Sequence, residues 1–222
     1  MKPETINFKL KTIWDVENIF YQKSNPTRIN KIICHYEIFK KTLKVPGAII
    51  ECGVFKGSSL IRFITFRDLI MKKLKKKVYG FDVFGTFPRQ KIKKDNKFAI
   101  KHDKEIGKGI AVNQLNSELK KKKIKNFMLI KGDIKKTIPT FLKNKSNFKI
   151  SFLHVDLDVF EATKFVLEKL YKNVSRGGII LIDDYGQVDG ATKATNYFLK
   201  NVKNIKIQTL NFDKRLKFII KK

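Results

Sequence analysis

The sequence is poor in cysteine and contains no long apolar run. Its two cysteines, Cys34 and Cys52, form no Cys-x-x-Cys pair, which disfavours a disulfide framework or a zinc site and predicts reduced core residues in a cytoplasmic protein. No stretch of about 18 apolar residues is present, so we expect no membrane span. The N-terminal stretch is mixed in charge and lacks the apolar centre of a signal peptide. A chain of 222 residues suits one α/β domain with a short accessory segment.

Acidic residues and arginine are also scarce. The chain has 49 lysines and arginines against 20 acidic residues, a formal net charge of +29, yet only six of the basic residues are arginine. Nucleic-acid-binding proteins use the arginine fork for bidentate contacts. The lysine excess therefore favours compositional bias and solvated surfaces, with attraction to a polyanionic substrate as the second interpretation. Specific nucleic-acid binding is the least favoured of the three.

What the chain does contain is an alternation of strand and helix patterns. Five short apolar runs are predicted strands, at 47–53, 77–82, 127–133, 149–156 and 177–184. The helical patterns between them predict right-handed crossovers and a parallel sheet covered on both faces. The first 45 residues are predicted to be helical. The predicted division is a helical segment at 1–46 and one domain at 47–222.

The C-terminal residues depart from this alternation. Two strand patterns, 205–211 and 215–222, are separated by a short polar stretch, which predicts an antiparallel hairpin. This hairpin distinguishes the chain from a plain dinucleotide-binding domain. The longest irregular stretch, Val83–Gly109, is predicted to be a lid or binding loop, because loops of that length in compact domains are usually functional.

The segment ECGVFKGSS follows the first predicted strand and opens a helix. Gly53 and Gly57 lie in the turn, where glycine lets the backbone approach a ligand and the helix N-terminus offers free N–H groups. The spacing is G-x-x-x-G rather than G-x-G-x-x-G, and Glu51 suits a ligand that carries an ammonium or sulfonium group. The alternative is a tight turn with helix caps at Ser58 and Ser59.

Single acids end the second and third predicted strands. Asp82 is a candidate acceptor of hydrogen bonds from ribose hydroxyls, or a cap of the following loop. Asp133 is a candidate neighbour of an adenine ring, or the N-cap of the next helix.

Four more acids end the last two parallel strands. Asp156 and Asp158 are two residues apart and point the same way if the strand persists, and Asp183 and Asp184 reach the same sheet edge. Carboxylates in such a cluster repel one another, so a cation must hold them: a divalent metal, for which oxygen ligands suit Mg²⁺, Mn²⁺ or Ca²⁺, or a lysine in a structural cluster. His154 is predicted to face away from the pair, as a core histidine or one that supports the ligands.

Five segments, taken together, resemble the macrocin O-methyltransferase (TylF/MycF) family. They are ECGVFKGSSL, FDVFGTFP, KGDIKKTIP, LHVDLDVFEATKFVLEKLY and RGGIILIDDYG, which follow in order between about Gly47 and Phe198. The resemblance implies the Rossmann-like class I methyltransferase fold, an α/β fold with a mostly parallel seven-stranded sheet, an antiparallel C-terminal hairpin and helices on both faces. It also implies methyl transfer from S-adenosylmethionine to a sugar hydroxyl with a divalent metal ion, usually Mg²⁺.

The resemblance also implies roles for individual residues. Asp156, Asp183 and Asp184 are the expected metal ligands, and Asp158 is the expected catalytic base beside Asp156. The expected cofactor-binding residues are Glu51, Gly53, Gly57, Ser58, Ser59, Asp82, Asp133 and Asp156. The N-terminal segment is short for a segment that would build an acceptor pocket, so the acceptor is less defined than the cofactor and the metal.

The expected function is therefore O-methylation of a sugar or glycoconjugate, which can be anionic or nucleotide-linked. Three other enzymatic readings remain open: a methyltransferase acting on a catechol-like molecule, an RNA methyltransferase, and an NAD-dependent enzyme, which the turn spacing and Glu51 disfavour. A non-catalytic scaffold is the alternative from another class. The sequence leaves the oligomeric state open and allows a homo-oligomer.

Overall fold

A seven-stranded sheet forms the centre of the protein. The computed structural model describes residues 12–71, 76–143 and 145–222. The strands are β1 Ala48–Cys52, β2 Val78–Asp82, β3 Phe127–Lys131, β4 Ile150–Val155, β5 Val174–Ile182, β6 Ile207–Gln208 and β7 Lys217–Ile220. Their order is β3-β2-β1-β4-β5-β7-β6, in which β1 to β5 run parallel and β7 is antiparallel to both β5 and β6. The predicted parallel sheet and its antiparallel hairpin are confirmed.

Helices cover both faces of the sheet, as predicted. They are α1 Ile13–Lys23, α2 Pro26–Lys40, α3 Ser58–Ile70, α4 Lys93–Glu105, α5 Val112–Lys121, α6 Ile134–Leu142, α7 Phe160–Leu170 and α8 Asp189–Asn201, with a short 3₁₀ helix at Tyr171–Asn173. Alternate side chains of β1 point to opposite faces. Ile49 packs with α2, α3 and α5, whereas Ile50 and Cys52 pack with α6, α7 and α8.

The segment Val83–Gly109, predicted to be irregular, contains the helix α4. This part of the prediction is wrong because α4 is largely polar and shows little apolar periodicity in the sequence. Its first turn is held by a contact with the start of α7, where the buried carboxylate of Asp95 accepts a hydrogen bond from the Phe160 backbone N–H at 2.8 Å. Ala99 is 2% exposed and packs inward.

The described N-terminal part of the chain contains the helices α1 and α2, and a turn after residue 40 leads into β1. Thr12 and Asp15 form a capping box at the start of α1, and Asn25 caps α2, whose first residue is Pro26. Helix α2 buries Cys34, Ile38 and Phe39 in the same core as α3. Residues 1–11, also predicted to be helical, lie outside the described residues. The division at residue 46 stays a prediction.

Two further expectations concern single features of the chain. Cys34 and Cys52 are buried and form no disulfide, so the prediction of unpaired core residues is confirmed. Within the described ranges, none of the helices has the length and apolar character required to span a bilayer.

The order of the strands determines where a ligand is able to bind. The chain leaves β1 toward β2 on one side, while β4 lies on the other side, so the carboxyl ends of β1 and β4 flank the point where the winding reverses. The Asp156 N–H donates to the Cys52 carbonyl at 2.9 Å and holds these two ends together. The candidate residues of the sequence analysis lie at this edge.

Candidate functional site

A large cavity of about 480 Å³ opens at the carboxyl edge of the sheet. Residues that follow β1, β2, β3 and β4 form its floor, and the segment that leads into and out of α4 forms its outer wall. Its lining includes Gly53, Asp82, Asp133, Asp156, Asp158, Phe87, His102 and Glu161. We refer to it as the large cavity.

The glycine turn after β1 reaches the large cavity through Gly53. Gly53 has a φ of +93°, and a Cβ there would lie 1.6 Å from the carbonyl oxygen of Asp156, so no other residue fits between the two strand ends. Gly57, with a φ of +84°, is the N-cap of α3 and packs on Leu115. Ser58 and Ser59 are the first residues of α3 and do not line the large cavity.

Asp82 organises the glycine turn from the end of β2. Its Oδ2 accepts hydrogen bonds from the Val54 and Phe55 N–H groups at 2.8 and 2.9 Å, and its Oδ1 accepts one from the Phe84 N–H at 2.6 Å. A carboxylate has about four lone-pair positions, so these bonds leave room for one further donor on the cavity side. The bond from Phe84 makes Asp82 a cap of the following loop, which the sequence analysis allowed. The bonds from Val54 and Phe55 in the glycine turn were not predicted.

Asp133 has the N-cap role that the sequence analysis allowed. Its Oδ1 accepts a hydrogen bond from the Lys135 N–H at 2.9 Å, which makes it the N-cap of α6. The residue is exposed and also lines the large cavity. Its side chain is therefore fixed in direction where a ligand ring can reach it.

Glu51 does not line the large cavity. Its side chain is fully buried on the face that α2 and α3 cover, and its Oε1 lies 2.8 Å from Nδ1 of His154. Burial lowers the pKa of His154, but its bonds to Asp183 and Glu51 outweigh burial and raise that pKa to about 10. His154 is therefore a charged imidazolium that pairs with Glu51.

Asp183 continues this buried network on the same face. Its Oδ1 lies 3.5 Å from Nε2 of His154 and 3.6 Å from Nε2 of His35, and its Oδ2 accepts a hydrogen bond from the Lys31 ammonium. Burial raises the pKa of Asp183, but these histidines and Lys31 outweigh it and hold the pKa well below its usual range. Glu51, His154, Asp183 and Lys31 form a chain of alternating charges.

Nε2 of His35, Nε2 of His154 and a carboxylate oxygen of Asp183 form a second group, whose atoms lie within 4.8 Å of one another. Arg62 lies 3.0 Å from Nδ1 of His35, and a guanidinium only donates, so Nδ1 accepts and Nε2 carries the ring proton. Burial lowers the pKa of His35 to about 3, which leaves the ring neutral. His154 carries protons on both nitrogens because it is an imidazolium. Both Nε2 atoms therefore direct a proton toward Asp183.

We expect His154→Leu to lower the free energy of unfolding by about 3–5 kcal/mol, because Glu51 and Asp183 stay buried after losing a positive partner. Urea denaturation measures the change. The matched control is the double variant Glu51→Leu/His154→Leu, which should cost less than the sum of the two single changes. Additive losses would contradict the ion-pair interpretation.

The three remaining acids form the carboxylate group of Asp156, Asp158 and Asp184. One oxygen atom of each lies within 4.8 Å of the others. Burial, with the charge of Asp156, raises the pKa of Asp158 to about 7. Burial, with the charges of Asp158 and Asp183, raises the pKa of Asp184 to about 8. Burial, Asp183 and Asp184 raise the pKa of Asp156 well above its usual range. Three carboxylates this close hold protons unless a cation joins them.

The structure thus separates two residues that the sequence analysis placed together. Asp183 and Asp184 are neighbours at the end of β5, so their side chains leave on opposite faces. Lys31 neutralises Asp183, whereas Asp184 joins Asp156 and Asp158. The predicted ligand set of Asp156, Asp183 and Asp184 is therefore not the set whose oxygen atoms the structure brings within one ion's reach.

The backbone at Asp158 adopts a conformation that non-glycine residues rarely take. Its φ is +61°, and its carbonyl oxygen accepts a hydrogen bond from the Ala191 N–H at 2.9 Å, in the first turn of α8. Such conformations cost of order 1–3 kcal/mol and concentrate at functional sites. The start of α8 holds Asp158 in a strained position beside the large cavity.

A small cavity of about 190 Å³ lies on the other side of the carboxylate group. Helix α2 and the loop before β7 form most of it. Its lining comprises Thr27, Arg28, Lys31, Cys34, Asp183, Asp184, Gln187, Asp213, Arg215 and Leu216. Asp156 and Asp158 line the large cavity and Asp184 lines the small cavity, so the carboxylate group joins the two.

Sequence reasoning missed the contribution of α2 to this region. Arg28, Lys31 and His35 come from the predicted accessory segment, yet all three lie near the carboxyl edge of the sheet. One signal was present: His35 falls within the apolar stripe of α2, between Cys34 and Ile38. A histidine in a core stripe needs a polar partner, and that partner comes from β5.

Comparisons with known proteins agree with the fold. The sequence matches the family described as macrocin-O-methyltransferase (TylF) over residues 27–219. No curated protein matches the chain.

Several solved structures share the fold. CalS11, a calicheamicin methyltransferase, is 20% identical, with 94% of this chain and 85% of that chain covered and a TM-score of 0.76. A second structure of CalS11 describes it as a TDP-rhamnose 3'-O-methyltransferase. The O-methyltransferase NovP is 21% identical, with 87% and 80% covered and a TM-score of 0.73. The SAH-bound methyltransferase PaMTH1 of Podospora anserina is 15% identical, with 99% of each chain covered and a TM-score of 0.54.

Proposed function

The chain belongs to the macrocin-O-methyltransferase (TylF) family and is an O-methyltransferase, and from this premise we propose its reaction. It transfers a methyl group from S-adenosylmethionine to a hydroxyl of a sugar or glycoconjugate, with a divalent metal ion at the carboxylate group. The observation that carries the proposal is the position of Asp156, Asp158 and Asp184 between two cavities. One cavity would take the methyl donor and the other would take the acceptor.

The large cavity suits the methyl donor. It lies at the switch point between β1 and β4, where ligands of open α/β sheets bind. Asp82 would accept a hydrogen bond from ribose, and Asp133 would contact the adenine side. S-adenosylmethionine supplies an electrophilic methyl group on a sulfonium, whose positive charge the acids Asp156 and Asp158 favour. PaMTH1, which has the same fold, binds the corresponding product SAH.

Other predicted cofactor residues would act indirectly in this proposal. Glu51 would fix the end of β4 through His154, two residues before Asp156. Gly57, Ser58 and Ser59 would shape the turn and the start of α3 rather than contact the donor.

The residues of the carboxylate group fit a divalent ion. Oδ2 of Asp184 is buried and has no hydrogen-bond partner among the described residues. All three donors are oxygen, which Mg²⁺ and related hard cations prefer. Asp156 and Asp184 would hold the ion, with Asp158 beside them. When bound, such an ion lowers the pKa of a coordinated hydroxyl and thereby favours its deprotonation.

Asp158 is the proposed base. Burial and the charge of Asp156 raise its pKa to about 7 in the protein without metal. A bound divalent ion would lower that pKa, so that Asp158 would be deprotonated at neutral pH and able to accept a proton. Asp158 lines the large cavity and belongs to the carboxylate group that joins it to the small cavity, and there a side-chain oxygen would take the proton from the acceptor hydroxyl. The walls around both cavities would hold the hydroxyl oxygen in line with the methyl carbon. Such positioning of the reacting atoms supplies a large part of the rate gain in displacement reactions.

The fold and the family together support the proposal of a sugar acceptor. CalS11 is described as acting on TDP-rhamnose and shares the fold. Family membership disfavours the scaffold reading, because the family is one of enzymes. The unpaired buried cysteines support a cytoplasmic location as part of the same proposal.

Calorimetric titration of the purified protein tests the proposed function. We expect S-adenosylmethionine and S-adenosylhomocysteine to bind at a single site and NAD to show no binding. Mg²⁺ should bind in the absence of chelator, and methyl transfer to a panel of free and nucleotide-linked sugars should stop in excess chelator. Preferential binding of NAD, or full methyl transfer with chelator present, would overturn the proposal.

A further inference from the structure

Arginine is concentrated around the small cavity. Only six of the 49 basic residues are arginine, yet Arg28 and Arg215 line the small cavity and Arg62 lies close enough to Arg28 for their charges to interact. A lysine-rich composition accounts for scattered positive charge, but it does not account for arginines gathered in one place. The guanidinium group is the side chain best suited to bidentate contacts with oxyanions.

Two of the positive charges at the small cavity already have a partner. Lys31 pairs with Asp183, and Arg215 donates from Nε to Oδ2 of Asp213 at 3.0 Å. Asp213 is itself held by hydrogen bonds from Asn30 and from the Arg215 N–H. These pairs hold the walls of the small cavity in place, and in each pair the carboxylate compensates the positive charge of its partner.

The guanidinium groups of Arg28 and Arg62 differ from these pairs. Within the described ranges, neither Arg28 nor Arg62 forms an ion pair, and Arg62 donates to the neutral ring of His35. Burial lowers the pKa of Arg62, and the charge of Arg28 lowers it further. Asp183 and Glu51 act on Arg62 through space and offset part of these effects. A bound anion would further compensate the partly buried charge of Arg62.

We propose that the small cavity binds an oxyanion of the acceptor, contacted by Arg28 and supported by Arg62. This inference rests on the proposed function, because it identifies the class of acceptor. The shared chemistry is that of a phosphate group in a nucleotide-linked sugar or a carboxylate group in an acidic sugar. The small cavity is also lined by Asp184, so an anion held at Arg28 directs the rest of the acceptor toward the carboxylate group.

The variants for the test replace arginine side chains that are exposed to solvent. Arg28 is exposed, so Arg28→Ala and Arg28→Lys should fold normally. Arg176 is also exposed but lies near the start of β5, at the opposite edge of the sheet, so Arg176→Ala is a control with the same loss of charge. The probes are inorganic diphosphate, glucuronate and, as the neutral comparison, glucose. Calorimetric titration is performed at physiological salt to suppress unspecific attraction.

We expect diphosphate or glucuronate to bind the unmodified protein more tightly than glucose, and the tighter of the two identifies the source of the oxyanion. Arg28→Ala should weaken that binding by at least about tenfold, Arg28→Lys by less, and Arg176→Ala should leave it unchanged. Equal weakening by Arg28→Ala and Arg176→Ala, or no preference for either anion over glucose, would overturn the inference.

S-adenosylmethionine binding, measured in the same series, separates this inference from the proposed function. Intact S-adenosylmethionine binding without any effect of Arg28 overturns the oxyanion site alone. Anion binding that depends on Arg28, in a protein that does not bind S-adenosylmethionine, supports the oxyanion site and overturns the proposed function.

Discussion

We expect Asp184→Asn to lower kcat for methyl transfer by at least about a thousandfold, because a neutral amide weakens the binding of the divalent ion that the mechanism requires. Mg²⁺ affinity, measured by calorimetry, should fall together with kcat. Transfer is measured as label moved from S-adenosylmethionine to the best acceptor of a sugar panel. The matched control is Asp189→Asn. Asp189 is a half-buried acid that pairs with Lys94 and Lys193 outside both cavities, so this change should leave kcat and Mg²⁺ affinity unchanged.

The same variant should gain stability when no metal is present. Burial raises the pKa of Asp184 to about 8, whereas an unfolded aspartate has a pKa of about 3.9. In the unfolded chain this carboxyl group releases its proton near pH 4, but in the folded protein it keeps the proton up to about pH 8, so unfolding releases a proton between these values. In excess chelator, the unmodified protein should therefore lose stability as the pH rises from about 4 to about 8, and Asp184→Asn should lose less.

Thermal unfolding across this pH range checks the expectation. A variant that loses both activity and stability would mean that Asp184 supports the fold, and the assignment to a metal site would then be wrong. Lost activity with unchanged or higher stability at neutral pH is the signature of a group held in place for function rather than for folding.

Asp158→Asn should lower kcat by about 100- to 10,000-fold, the range that a positioned base typically contributes. Asparagine tolerates a positive φ nearly as well as aspartate, so the backbone at φ +61° should be retained, which alanine would not ensure. Binding of S-adenosylmethionine and of Mg²⁺ should change little. These affinities separate the proposed base from the proposed ligands, because Asp184→Asn affects Mg²⁺ binding and Asp158→Asn should not.

The pH dependence of kcat provides a second measurement for Asp158. Burial and the charge of Asp156 raise the pKa of Asp158 to about 7 without metal, and a bound divalent ion lowers it. Because the base must lose its proton to act, kcat of the metal-loaded protein should rise with pH through a value below 7. Asp158→Asn should lose this rise together with most of its activity. If Mg²⁺ affinity instead falls as far as kcat, Asp158 is a metal ligand and the base lies elsewhere.

Much of the fold was predictable because it follows from local patterns. Apolar runs such as residues 177–184, separated by helical patterns, indicate a parallel sheet, and the two C-terminal strand patterns indicate the hairpin. Helix α4 escaped prediction because its residues are mostly polar. Its first turn is held by a contact with the start of α7, and that contact joins parts of the chain that are 65 residues apart.

The sequence predicted at which edge of the sheet the candidate site lies, but not how its residues pair there. Strand ends placed Asp156, Asp158 and Asp184 together, since parallel strands end on the same side. Asp183 is separated from the other acids because it pairs with Lys31 and lies near His35. Glu51 is buried because helices pack against its face of the sheet. Lys31 and His35 come from a helix that no motif of the sheet identifies.

Chain order and residue type alone specified the alternation of elements, the antiparallel end of the sheet and the carboxyl edge at which the acids gather, because periodicity and strand direction are local properties. The pairing of Asp183 with Lys31 and the position of Arg28 at the small cavity were decided only when α2 packed against the sheet. Charges interact through space over a few ångströms, whatever their separation along the chain, so their partners are known only once distant segments have come together.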